Sequence, residues 1–193
     1  DMWNNNPKHT TNGNTNNNNI NDYPKLGLDQ DNFYFTSNQF DLSTLFFEYV
    51  QLRVLDKDQF YNNVGGGAIS VTWDDFWSIE DPDGSGNSIF TMVPAVQFDV
   101  ANDGYLINDS PYVTGTHVGF WRYNDASNTL TGQNIPTAAR TSPPNADQLG
   151  GGTLLIEAGG ARFRNAVYQN GDLWSSHSVD VSGDGAARML RID

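Results

Sequence analysis

The 193-residue chain carries 23 acidic against 10 basic residues, a formal charge of −13, and a composition 37% hydrophobic and 12% aromatic. That aromatic content is too high for a disordered chain. The three Lys and seven Arg are scattered, so no basic patch could neutralise a run of phosphates, and nucleic-acid binding is excluded. The lack of Cys removes disulfides, thiolate metal sites and thiol nucleophiles together.

No apolar run approaches the roughly 18 residues of a membrane helix, so the chain is not expected to span a membrane. Only Glu48, Glu80 and Glu157 among the acidic residues are Glu, and the chain holds 23 Asn and 19 Gly. Asp, Asn and Gly are turn formers, whereas the helix formers are scarce, so an all-β protein is expected. The opening Asp1-Met2-Trp3 reads as the start of a mature or excised portion of a longer precursor.

In chain order, residues 1–22 are dominated by Asn, with Asn16 to Asn19 in succession, and read as a poorly packed arm or surface loop with Trp3 and Ile20 as anchors. Alternating or apolar runs then predict strands, beginning with Leu26–Asp29, Phe33–Gln39, Phe46–Asp56 and Ala68–Trp73. Ile89–Asp99, Tyr105–Asn108, Thr116–Tyr123 and Thr129–Ile135 follow, then Leu154–Glu157, Arg162–Gln169, Leu173–Val181 and Ala187–Ile192. A short helix is expected at Trp73–Ile79 or at Lys57–Asn62.

Three stretches parallel one another: Tyr23–Thr36, Val93–Ile107 and Arg164–Ser176. Each is a short apolar strand, an Asp/Asn/Gly turn and a second strand led by an aromatic or apolar residue. Each is followed by a related third strand: Gln51–Asp56, Gly119–Asn124 and Arg188–Asp193. Three-strand units with Gly-containing hairpins are what propeller blades look like. About three β-propeller-like blades are therefore expected near 23–80, 89–140 and 154–193, following the arm at 1–22. A β-sandwich is the competing fold. Three blades do not close a ring, so the expected partners are the remainder of the same propeller, another chain or identical subunits.

The stretch Asp22-Tyr23-Pro24-Lys25-Leu26-Gly27-Leu28-Asp29, with Phe33–Asn38 and Leu52–Lys57, resembles a family of large exported bacterial proteins that are β-propeller-like. The second half carries the same resemblance at Pro143–Gly150, Ala161-Arg162, Asn165–Tyr168, Asn170-Gly171 and Leu173-Trp174-Ser175-Ser176-His177. The resemblance implies a propeller-like fold, an extracellular or cell-surface location, and a chain that is a portion of a longer member. It implies no activity and no catalytic residue.

One motif has metal-ligand spacing. Asp81-Pro82-Asp83-Gly84-Ser85-Gly86-Asn87 places oxygen side chains at alternate positions with Gly at the sixth, as loops wrapping calcium do. Position 12 is Met92 rather than a bidentate Glu, so an EF-hand is excluded. Asp81, Asp83, Ser85 and Asn87 remain as a candidate calcium loop, and a solvated turn is the plain alternative. Other combinations carry less. Ser182-Gly183-Asp184-Gly185 reads as an ordinary hairpin turn, Gly65-Gly66-Gly67 and Gly150-Gly151-Gly152 as loops, and His9, His117 and His177 as structural residues. Ser176 and His177 point to opposite faces of one strand and make no nucleophile–base pair. The sequon at Asn108 is followed by Pro111 and is a poor glycosylation acceptor. The expected function is an acidic, non-catalytic, cation-stabilised binding or structural module with a glycan or protein ligand. A glycosidase or lyase with a propeller-centre active site is the alternative.

Overall fold

The computed structural model describes residues 8–11, 18–62, 70–110 and 114–193. It is all-β, 59% strand and 4% helix, an open, mixed, largely antiparallel sheet system; among the described residues neither a closed barrel nor the expected propeller is identified. After the edge strand β1 (Lys8–Thr11), β2 (Asn19–Leu28), β3 (Asn32–Asp41) and β4 (Phe47–Asp56) form an antiparallel meander. A short helix α1 (Asp58–Tyr61) follows, and β5 (Asp74–Trp77) then pairs with both β4 and β1. A second meander comprises β6 (Met92–Gln97), β7 (Asp103–Ser110), β8 (Thr114–Asn124) and β9 (Thr129–Thr141). The third is β10 (Ala166–Gln169), β11 (Asp172–Val181) and β12 (Asp184–Ile192).

The three meanders meet along their leading strands, which run parallel: Leu28 lies opposite Val96 and Val96 opposite Val167. Side-chain alternation then decides what each sheet buries. Leu106, Trp121 and Tyr123 of the second meander join Tyr34, Leu52 and Phe76 of the first in one core. The opposite face, through Ile107, Val118 and Phe120, packs with Phe163, Ala166 and Leu173 in another. The middle sheet is thus covered on both sides, and the outer sheets on one side each. Leu26 and Phe35 on the first sheet, and Trp174 and Met189 on the third, stay exposed.

Local chemistry explains the connections. Asp29 turns β2 into β3 because its Oδ1 accepts the N–H groups of Asp31 and Asn32 at 2.8 and 2.7 Å. β10 and β11 are joined by Asn170-Gly171, with φ of 56° and 83°, the left-handed pair that a two-residue hairpin of native twist requires.

Several strand assignments shift. The segment expected at 68–73 lies partly outside the described residues; the strand that pairs with β4 is Asp74–Trp77, where a helix was the alternative. Two adjacent Asp make a poor strand by composition, yet Asp75 is buried because Arg53 grips it with two bonds of 2.8 and 2.9 Å. The helix instead falls within 57–62. Leu154–Glu157 contributes one bridge, Ala146 to Ile156, and no strand. Within the Asn-rich segment, Lys8–Thr11 and Asn19 onward are strand; Trp3 and the Gly65 run lie outside the described residues.

Candidate metal centre

The loop between β5 and β6 is a hairpin held by its own polar groups. The Asp81 N–H donates to the Asn87 carbonyl at 2.7 Å and the Ile89 N–H to that of Ile79 at 3.0 Å. Inside it, Asp83 N–H donates to Asp81 Oδ1, Ser85 N–H to Asp83 Oδ1 and Asn87 N–H to Ser85 Oγ, at 3.1, 2.7 and 3.2 Å. Each short polar side chain thus caps the backbone two residues on, as the turn reading anticipates.

The four residues of the candidate calcium loop are not used alike. Ser85 Oγ already accepts from both the N–H and the side-chain amide of Asn87, so its lone pairs are committed within the turn. Asp81 and Asp83 are joined instead by His117 of β8, and the three ligand atoms lie within 4.8 Å of one another. His117 Nε2 stands 3.8 Å from Asp81 Oδ1 and is a buried nitrogen with no hydrogen-bond partner among the described residues. Two ligands bound to one ion at about 2.1 Å each are at most about 4.2 Å apart, so the Asp81–His117 pair suits a shared ion.

The electrostatics distinguish the two carboxylates. Burial raises the Asp81 pKa, and the neighbouring Asp83 adds to it against the Asp83 N–H and His117. At Asp83 burial pushes the same way, but the hydrogen bonds from Ser85 together with His117 bring the group below its ordinary value. One imidazole beside two carboxylates is a donor set for a divalent transition ion, whereas calcium takes six to eight oxygens. The loop half of this set is visible in the sequence as a turn motif; His117 is not, because only the packing of β8 beneath the loop brings it there.

A second ionisable cluster lies between the second and third meanders. Asp109 of β7 pairs with Arg140 of β9, both side chains 1% exposed. His177 of β11 lies 4.0 Å from Asp109 and is itself fully buried. Its Nδ1 donates to the Ala161 carbonyl at 2.8 Å, which leaves Nε2 as the acceptor of a neutral ring, and the ring stacks on Phe163 at 4.5 Å. Burial, with the nearby cations, pushes the His177 pKa down to about 4. Burial pushes Asp109 up to about 7, outweighing Arg140 and Arg188. Neither Asp109 nor Arg140 has any singular signal in sequence, because their encounter depends on the β7–β8–β9 pairing. The sequon residue Asn108 is also buried, its Oδ1 accepting from Trp121 Nε1 at 2.5 Å. No family model, curated protein or solved structure matches the chain.

Proposed function

We propose that the chain is a β-propeller-like binding or structural module of an exported or cell-surface protein, non-catalytic and stabilised by a divalent cation. The carrying observation is the fan of three meanders from parallel leading strands, which covers the middle sheet on both sides and leaves large apolar side chains exposed on each outer sheet. Blades of a propeller present such faces to the next blade. The resemblance of the segments around Tyr23 and Asn165 to exported propeller-like proteins points the same way. The buried Asp109, Arg140 and His177 have the surroundings of a structural cluster, closed off from solvent.

The test is a screen of the purified protein on glycan and protein arrays, alongside chromogenic glycosides. Saturable binding without turnover is the expected result. Turnover that disappears on substituting a single carboxylate would put a carbohydrate-active enzyme in place of the binding module.

A further inference from the structure

The outer face of the first sheet holds a polar cleft beside its exposed apolar residues. Strand alternation sends Phe35, Ser37, Gln39 and Gln51 outward, and Tyr34 and Leu52 into the core. With Asn19 and Asn21 of β2, these four line a cavity of about 470 Å³. Ligand clefts span about 300–1,000 Å³.

At this cleft β2 carries one residue too many. Asp22 lies opposite Asn38 and Lys25 opposite Thr36, so Tyr23 and Pro24 together face the single Ser37. Pro24 has no N–H to give the ladder, and a bulge is where a strand accommodates proline. Tyr23 takes up the extra residue at φ of 53°. A bulge bends its strand and re-aims the side chains beside it, and both Pro24 and Ser37 border the cavity.

The polar groups of the cleft are only half used. Gln39 is 4% exposed, and its Nε2 donates to Asn21 Oδ1 at 2.6 Å and to Ser37 Oγ at 2.7 Å. These bonds fix the amide, yet no donor among the described residues reaches Gln39 Oε1. Asn19 Nδ2 donates to Glu48 Oε2 at 2.7 Å, while Asn19 Oδ1 is buried and accepts nothing. Among the described residues Gln51 makes no side-chain hydrogen bond and Asn21 Nδ2 has no acceptor. Buried polar groups are ordinarily paired, so two anchored acceptors beside two idle donors call for an occupant.

We propose that this cleft binds a neutral sugar ring, a ligand class that rests on the binding-module reading above. A hydroxyl both donates and accepts, so the hydroxyls of one pyranose meet the acceptors Asn19 Oδ1 and Gln39 Oε1 and the donors Asn21 Nδ2 and Gln51 Nε2. Anchored amides bind without the cost of ordering them first. The C–H face of the ring has its own partner. Phe35 lies two residues from Ser37 on the same face and is 44% exposed, and its cross-strand neighbour Leu26 extends the apolar strip. Arg53 beside Phe35 is committed to Asp75, and the net charge of −13 repels acidic sugars, which favours a neutral ring. The floor strand β3 is paired on both sides, so a peptide finds no free ladder there.

A second copy would also cover Phe35, so the full chain is diluted until light scattering gives the mass of one chain. It is then titrated with the methyl glycosides of glucose, galactose, mannose and N-acetylglucosamine, and saturation-transfer NMR reads the glycoside protons. Expected is saturable, millimolar binding of at least one glycoside, with transfer strongest at ring C–H protons. Glycerol, which has hydroxyls and no ring face, is expected to show none. Phe35→Ala should weaken binding about fivefold or more, and Gln51→Ala about threefold. Both side chains lie outside the two cores, so an unchanged melting temperature shows each variant folded. No saturable binding of any of the four, equal binding of glycerol, or unaltered binding by folded Phe35→Ala overturns the proposal. So does tighter binding of glucuronate, which would make the cleft an anion site. A glycan found on the array whose binding survives both substitutions also overturns this site, and leaves the binding-module reading standing. Turnover of a glycoside that is lost in Phe35→Ala would instead overturn the non-catalytic reading and support the site.

Discussion

At the scale of single residues, Asp109 and His177 set opposing pH dependences across one buried contact. His177 is held near pKa 4 by burial, below its unfolded value, so the unfolded chain binds the extra proton between about pH 4 and 6.5. Its contribution to stability is present above that window and is lost as pH falls through it. Asp109 is raised to about 7, so the folded chain holds the extra proton. That contribution is present below about pH 4 and is lost as pH rises through 7. Urea unfolding at pH 4.5 and 7.5 separates the two. His177→Phe is expected to favour the variant at pH 4.5 relative to pH 7.5, by about 2 kcal/mol of differential stability. Asp109→Asn is expected to shift the comparison the other way. Phe cannot donate to the Ala161 carbonyl, which adds a constant cost, so the slope with pH is the readout. Parallel profiles for all three proteins would show that neither group titrates differently on folding. His177 was legible in sequence as a structural residue on a strand. Its partner was not, because Asp109 and His177 belong to different meanders and no local pattern links them.

At the scale of elements, the β5–β6 loop and strand β8 are coupled through Asp81, Asp83 and His117. An ion bound only in the folded state stabilises it by mass action, about 2.7 kcal/mol at a hundredfold excess over Kd. For a chain of this size that corresponds to about 5 °C or more in Tm. Zinc or manganese is therefore expected to raise the melting temperature and EDTA to reverse the rise, with calcium at equal concentration giving less. His117→Gln is expected to abolish the zinc effect while leaving metal-free melting near its original value; an undiminished zinc effect in that variant would exclude His117 as a ligand. The sequence announces hairpins where turn chemistry is local, as at Asp29 and Asn170-Gly171. It misplaces elements where tertiary partners decide. β5 is a strand through the Arg53–Asp75 pair and its ladder to β4, against the propensity of consecutive Asp. Leu154–Glu157 is apolar enough for a strand but among the described residues has only Ala146 as a bridge partner.

At the scale of the whole molecule, two sheet faces remain open. The first presents Leu26 and Phe35, 54% and 44% exposed; the third presents Trp174 and Met189, 38% and 75% exposed. Each large apolar side chain left in water forgoes about 1.5–3 kcal/mol of burial, and contiguous patches of this kind mark interaction surfaces. Both faces also carry an arginine near an aromatic ring, Arg53 by Trp73 and Arg191 by Trp174, so an incoming sheet meets apolar side chains set among polar ones. Among the described residues the third meander ends at β12, which pairs with β11 alone and whose alternating residues are half-buried at most, an edge of the kind that another strand extends. Contact of one copy's first face with another copy's third face is heterologous and propagates unless its rotation closes a ring. Purified chain is therefore expected to associate. Light scattering over a range of concentrations should give masses above 21.3 kDa, and Trp174→Lys combined with Met189→Lys should return the mass to that of one chain. Neither side chain contributes to the two cores, so the doubly substituted chain should unfold with the same cooperativity. A monodisperse monomer from the unsubstituted chain, melting in one cooperative step, would show that the open faces are tolerated without a partner.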